Sequence, residues 1–332
     1  MMKEEGESEA SEDPQAEAEL AYDIVYTQPE ILRSCVAKLS VGTIFLAMLV
    51  IACGVVPQML DADYHFSVAG VLLQIVLSGS CIAAVIKRWF GDYGFRAARV
   101  EDKIVVSSGL FKKKNYEVPV DKINALSFRT TMIGRLCGRY HVMAINIGGE
   151  DEDVDGMEIL LAEKPEDLRK RLTILLPELS VDDFLEVHRQ PLRVLCKKLV
   201  LWCVAMVLAF AVIEHFVSLG IFIVHKPLFY GVFAALLVFV VVVTIAAFQI
   251  RSTIMKDEYM LVSKGLLGRK VDRIAYDKIQ YLSFRQGPIQ RAMHVKHAKI
   301  HILASAASQE HVSAAYEEEV FDRLKEKFEK TY

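Results

Sequence analysis

The sequence predicts an α+β membrane protein in which two transmembrane helical hairpins alternate with two small β-rich domains, each closed by a C-terminal helix. Three observations lead there: four long apolar blocks, basic residues gathered on one side of all four, and an internal repeat at an offset of 156 residues. Hydrophobic residues make up 53% of the 332 and mean hydropathy is +0.29, above the roughly 45–50% apolar usage of a soluble globular domain.

The blocks are Leu39–Val56, Phe66–Ile86, a run from about Leu199 to Ile213, and Pro227–Phe248. About 18 residues of helix rise about 27 Å, just enough to cross a hydrocarbon core. Their length and hydrophobicity all round argue against the alternative of buried core helices. Arg33, Lys38, Lys87, Arg88, Arg96, Arg193, Lys197, Lys198, Arg251 and Lys256 flank the outer ends of the two pairs. The intervening loops hold Asp61, Asp63 and His65 in one and His225 and Lys226 in the other. By the positive-inside rule both termini and both polar domains face the cytoplasm, at a multi-pass cytoplasmic membrane. Trp89 at the exit of the second block suits the membrane interface. The third block has two readings. Ending at Ile213, it leaves Glu214 and His215 at the outer interface; continuing to Val224, it buries them, as a functional pair would be. Snorkelling Lys197 and Lys198 favour the interface.

The expected division is a disordered acidic tail over 1–27, a transmembrane hairpin over 28–88, a β-rich domain over 89–178, a linker and second hairpin over 179–250, and a second β-rich domain over 251–332. The tail carries eight acids in its first 19 residues against Lys3 alone, too little apolar surface to offset ordering. Six cysteines without a CxxC pair suggest structural thiols rather than a disulfide framework or zinc site.

Residues 103–147 align without a gap on 259–303. Asp121-Lys122-Ile123 matches Asp277-Lys278-Ile279, and Leu126-Ser127-Phe128-Arg129 matches Leu282-Ser283-Phe284-Arg285. Gly109 and Gly265 mark a turn, Asn124–Phe128 and His141–Ile147 read as strands, and Pro165 with Glu166 and Asp167 opens a helix. Leu168, Leu172, Leu175 and Leu176 would form that helix's buried face, and a longer helix is expected around Ser313–Lys330.

The succession of a turn Gly-Leu, basic residues, Asp-Lys-Ile, Leu-Ser-Phe-Arg and Ile-Gly-Arg-Leu-Cys-Gly after an apolar hairpin resembles the bacterial PH-like, membrane-flanked domain of YdbS/YdbT-type proteins. The resemblance covers Trp89–Pro177 and Arg251–Phe328 with the hairpins ahead of them. It implies a PH-like partial β-barrel in each copy, a non-enzymatic scaffold or binding role, and a related partner protein. The second copy departs at Gln290 and His294, which stand where the first has Gly134 and Gly138.

Candidate contacts with anionic lipid headgroups or a partner are the hairpin-tip cations Lys112, Lys113 and Lys114, with Arg269, Lys270 and Arg273 in the second copy. Near an anionic leaflet each could contribute about 1 kcal/mol; the bland alternative is a solvated turn. Arg129 and Arg285 could meet a partner or, the favoured reading, pair with Asp121 and Asp277. His294, His297 and His301 have no nearby Cys or carboxylate to make a metal site. No Walker loop, GxGxxG after a strand, HExxH or GxSxG is present, and a net charge of −3 shows no nucleic-acid signature. The expected protein is a scaffold without enzyme activity or cofactor, bound to the bilayer and to itself or a related membrane protein. A transporter or efflux accessory subunit is the alternative.

Overall fold

The computed structural model describes residues 22–60, 68–146, 156–179, 184, 192–218, 226–265, 267–292, 294–303 and 309–331. The first copy runs β1 (Ile24–Val25), α1 (Gln28–Ala37), α2 (Val41–Leu60), α3 (Val68–Asp92), β2 (Arg96–Val100), β3 (Lys103–Ser108), β4 (Lys114–Pro119), β5 (Ile123–Thr130), α4 (Met132–Leu136), β6 (Tyr140–Asn146), β7 (Met157–Glu163) and α5 (Pro165–Leu175). The second runs α6 (Leu192–Ser218), α7 (Lys226–Ile250), β8 (Ser252–Met255), β9 (Tyr259–Lys264), β10 (Arg269–Ala275), β11 (Ile279–Arg285), α8 (Pro288–Ala292), β12 (Val295–Leu303), β13 (Gln309–Glu317) and α9 (Glu318–Thr331).

The two transmembrane hairpins of the sequence reading are overturned. Among the described residues no single helix is long and apolar enough to cross a membrane. Gln28–Ala37 and Val41–Val50 would qualify only together, and they are bent by 83° at their break; the apolar stretches of α6 and α7 are Leu199–His215 and Phe233–Gln249. A 17-residue stretch rises about 25 Å, short of a hydrocarbon core of about 30 Å. The helix just ahead of the supposed first span has a role in the β-rich domain. Thr27 and Glu30 cap α1 through a 2.8 Å bond from the Thr27 amide, and its Ile31, Ser34 and Cys35 are buried. Ser34 Oγ accepts from the Ala162 amide at 2.9 Å, so α1 is fastened to β7. Helices α2 and α3 pack together, as do α6 and α7, while Phe45, Met48, Ile75, Leu208 and Phe239 remain exposed on their outer faces.

Three smaller expectations change too. Of the tail expected to be disordered, residues 1–21 lie outside the described residues, but Ile24 and Val25 pair with Ala97 and Arg96. Helix α6 runs on through Glu214 and His215 to Ser218. Residues 313–317 belong to a strand, and the final helix starts at Glu318. The inter-helix loops with Asp61, Asp63, His65 and His225 lie outside the described residues.

The repeat is structural down to single residues. Strands β3 and β9, the 3-10 turns over residues 120–122 and 276–278, and helices α4 and α8 all coincide at the offset of 156. Even the departure from glycine is absorbed: Gly138 has φ 62° and His294 φ 52°. The chain thus keeps the left-handed turn after the short helix although the second copy lacks the residue that adopts it without cost.

Each copy contributes two sheets, but they do not remain four. The strand orders are β1-β2-β3-β4, β7-β6-β5-β10-β9-β8 and β11-β12-β13. Strand β5 of the first copy and β10 of the second are antiparallel neighbours, from Ala125 opposite Ile274 to Thr130 opposite Arg269. One six-stranded sheet therefore joins the copies, and the cores interleave. Ile254, Tyr259, Leu261 and Val271 enter the first core; Ala125 and Ile145 enter the second. The same motif has two fates: Phe128 in β5 is 0% exposed, whereas its counterpart Phe284 in β11 is 60% exposed.

The seam is tight at its tip. A Cβ at Gly268 would stand 2.3 Å from the Thr130 carbonyl oxygen, which is backbone and cannot swing away. Gly268→Ala should destabilise the protein by about 1–3 kcal/mol as an overpacking change. Gly91→Ala, where nothing lies within 4 Å, should be neutral or stabilising by up to about 1 kcal/mol. Unfolding midpoints of the two variants measured side by side test the difference, and equal midpoints would remove the close approach.

A basic cleft at the seam

Where β5 meets β10, the chain opens a cleft of about 470 Å3. Three parts of the fold supply its wall. The break between α1 and α2 brings Lys38 and Ser40, and the end of α3 brings Arg88. Strands β5 and β6 bring Arg129, Thr130 and His141, and the cap of α4 brings Thr131; the β9–β10 hairpin brings Lys264, Gly265, Gly268, Arg269 and Lys270. Six lining residues are cations, and none is a carboxylate.

Local chemistry fixes this wall. Thr131 caps α4 by accepting from the Gly134 amide at 3.2 Å and donates its hydroxyl to the Ala37 carbonyl at 2.5 Å. Helix α1 thereby ends against α4. Gly134 is required there, since a Cβ would lie 2.6 Å from Thr130 Oγ1 and 2.9 Å from the Ala37 oxygen. Arg88 reaches across to donate to the Lys38 carbonyl. The adjoining tight turn also needs glycine: Gly265 has φ 137°, and a Cβ would meet the Gly268 carbonyl oxygen at 2.2 Å.

The counter-charges stand behind the wall rather than in it. Lys38 Nζ lies 2.8 Å from both Asp92 and Glu158; burial opposes its charge, but the two carboxylates outweigh it and its pKa is raised. Asp272 is fully buried, accepts from Ser127 Oγ at 2.7 Å and lies 3.6 Å from Lys264 and from Lys270. Arg129 Nε donates to the same Ser127 hydroxyl at 3.1 Å, and Arg269 Nε to Ser263 Oγ at 3.0 Å. Burial, then the charges of Lys38, Arg129 and Arg88, push His141 down to about 3, with Asp92 pulling the other way. It is therefore a neutral imidazole at physiological pH. Converging guanidinium and ammonium donors suit a phosphate-bearing anion.

Of the residues singled out by sequence, Arg269 and Lys270 line the cleft. Arg273 does not: it is buried with its guanidinium 4.0 Å from the Tyr259 ring centre. Lys112, Lys113 and Lys114 are exposed at the β3–β4 tip, whose Gly109 and Leu110 amides bond to the carbonyls of Tyr93 and Phe90 at 2.8 and 3.0 Å. Phe111 beside them is 82% exposed. Trp89 packs partly buried against the first core. Glu214 accepts from the Tyr230 hydroxyl at 3.2 Å, linking α6 to α7, and His215 is exposed near the end of α6. His301 is buried, stacked on Tyr281 with centroids 3.9 Å apart. Arg129 turns to Ser127, and sequence reasoning did not place it, Lys38, Arg88, Lys264 or His141 in one site. The available signal was Asp272, an acid in a strand position where the first copy has Tyr116.

His141 gives the site a pH signature. Below about 6.5 the unfolded chain binds a proton that the native imidazole refuses until about pH 3. Its contribution therefore lowers stability as pH falls through that window and vanishes above it. His141→Gln should flatten the loss of stability between pH 6.5 and 4 in denaturant unfolding, and an unchanged slope would contradict a neutral His141.

Searches of curated proteins and of solved structures found no match. The family model described as the bacterial PH domain matches residues 38–173 and 203–330, most of the chain and once per repeat. Both matched stretches hold the β-rich units that the seam joins, and the chain belongs to the bacterial PH domain family as a tandem of two copies.

Proposed function

We propose that this protein is a non-catalytic scaffold at the cytoplasmic membrane whose seam cleft holds the phosphate of an anionic lipid headgroup. Tandem bacterial PH domains carry a binding or scaffold role. The observation that supports the ligand class is the convergence of Lys38, Arg88, Arg129, Lys264, Arg269 and Lys270 on one cleft without a carboxylate in its wall. Two further features favour a lipid over a free anion. The cleft lies at the foot of the α2–α3 pair, through Lys38 and Arg88, and that pair exposes Phe45, Met48 and Ile75. An apolar helical face beside a cationic cleft matches the two ends of a phospholipid. The exposed tip with Phe111 and Lys112 to Lys114 is a second, weaker lipid contact on the same reasoning.

Full-length protein in neutral detergent, titrated with dihexanoyl phosphatidic acid, dihexanoyl phosphatidylcholine and inorganic phosphate, separates the cases. Phosphatidic acid should bind best and more weakly as salt rises. Arg129→Gln and Lys264→Gln should each weaken it about tenfold, the loss of one charge-assisted contact. Changing Lys112, Lys113 and Lys114 to Ser should leave this affinity unchanged. Equal binding of the two lipids, or indifference to both cleft variants, would sink the lipid reading; tighter binding of phosphate than of phosphatidic acid would transfer the cleft to a soluble ligand.

A further inference from the structure

The β5–β10 joint has an unmade twin. Each copy ends its first sheet on one strand and begins its second on another: β4 and β5 in the first, β10 and β11 in the second. Inside the chain β5 takes β10. Among the described residues that leaves β4 at the edge of the β1-β2-β3-β4 sheet and β11 at the edge of the β11-β12-β13 sheet. We propose that β11 of one molecule pairs antiparallel with β4 of a second copy, repeating between chains the joint already made within one.

The register follows from the internal joint. Shifting each β5–β10 pair by the repeat places Arg285 opposite Lys114, Phe284 opposite Asn115, Ser283 opposite Tyr116, Leu282 opposite Glu117 and Tyr281 opposite Val118. The edges are prepared alike. The β5–β6 ladder shifts register between Ile123 and Ala125, and the β11–β12 ladder shifts between Ile279 and Tyr281. The β3–β4 and β9–β10 tips share one turn, with a Cβ at Gly109 or Gly265 standing 2.2 Å from the Lys112 or Gly268 carbonyl oxygen. Pro119, which has no amide to give, falls just past the last rung.

Exposure points the same way. Tyr281 is 44% and Phe284 60% exposed, while their counterparts Ala125 and Phe128 in the made joint are 3% and 0% exposed. Pairing would set Tyr281 beside Val118 and Tyr116, and Phe284 against Asn115 and the stem of Glu117. Strand β11, with exposed aromatics and neither Lys nor Pro, is the kind of edge that proteins avoid leaving open, while β4 carries its Lys114 and Pro119 at its two ends.

The template fails at one place. Gly268, which lets the internal tip close on Thr130, is replaced by Lys112, so the ladder between chains starts at Lys114 and the tip stands off. Lys114 and Arg285 would also meet without the buried carboxylate that Asp272 provides inside. The contact between molecules is therefore the looser of the two. Each joint sets one face of a copy against a different face of the next, so it generates a closed ring, of two copies at the smallest, or an open array.

The test uses full-length protein in mild detergent. Ser283→Cys protein mixed with Tyr116→Cys protein should give disulfide-linked dimers on mild oxidation, because directly opposed residues place their Cα atoms about 4.5–5.5 Å apart. Each protein alone reports the background from the exposed Cys137, Cys196 and Cys203. The doubly substituted chain should cross-link without a partner variant, to a closed oligomer or to a ladder of larger species. Phe284→Lys should cut the mixed cross-link about tenfold and leave the phosphatidic acid affinity of the cleft intact, which separates lost pairing from lost folding. A mixture that links no better than the single proteins, a symmetric dimer from Ser283→Cys alone, or a monomeric mass for the wild-type chain at high concentration would overturn the proposal.

Discussion

Everything in this protein turns on the antiparallel ladder between β5 and β10. Without it there would be two small units, each with open sheet edges; with it there is a six-stranded sheet whose two cores borrow side chains from each other. The chemistry at its centre is unusual for a sheet interior. A fully buried carboxylate, Asp272, sits opposite Ser127 in the ladder and accepts its hydroxyl proton at 2.7 Å. An uncompensated charge there would cost several kcal/mol, and Lys264 and Lys270 at 3.6 Å supply the compensation. The joint therefore requires cations at its rim before any ligand is considered.

That requirement explains why the site forms where it does. The two lysines beside Asp272, Lys264 and Lys270, reach it from the edge of the cleft, and Arg129 is held at the same point by the same serine. Lys38 and Arg88 arrive for a different reason: α1 ends against α4, and the helix break is tied by Thr131 and Arg88 to its own carbonyls. Two structural necessities, a neutralised seam and a pinned helix end, leave positive charge facing one cavity. His141 records the resulting potential, since its neighbours as well as its burial hold it neutral. A phosphate entering such a cavity meets donors already oriented by the fold, so little of the binding energy goes into arranging them.

The repeat, the strands β3 to β6 of the first copy, the Pro165 helix and its buried leucines were legible, because turn glycines and period-two alternation are local signals; β13 was not, since its residues 313–317 read as part of the final helix. The seam was not. Strands β5 and β10 are far apart in the chain, and β5 shares its Leu-Ser-Phe-Arg motif with β11, so nothing local says which of the two takes a partner. The apolar blocks were read as spans by counting residues, but no single helix they form is long and apolar enough to cross, and the one pair that would qualify together is bent by 83° at the α1–α2 break. The left-handed turn at His294 shows a third kind of loss: context holds a conformation that the residue type would not announce.

Three of the differences between the two copies lie at or beside the seam, and they say how a duplicated chain avoids joining its own parts wrongly. Asp272 stands where the first copy has Tyr116, Gly268 where it has Lys112, and Gly134 where the second has Gln290. Each lies at or beside the seam. Gly268 permits the approach to Thr130, which a lysine at that position would block. Asp272 gives the lysines of β9 and β10 a buried counter-charge, which a tyrosine could not. Gly134 lets α4 close on Ala37, which a glutamine side chain would hold off. Each change favours β10 over β4 as the partner of β5, or the first copy over the second as the unit that receives it. Specificity thus comes from three residues that make one pairing closer and better compensated than its repeat-related alternative, while the shared motif keeps both edges competent to pair.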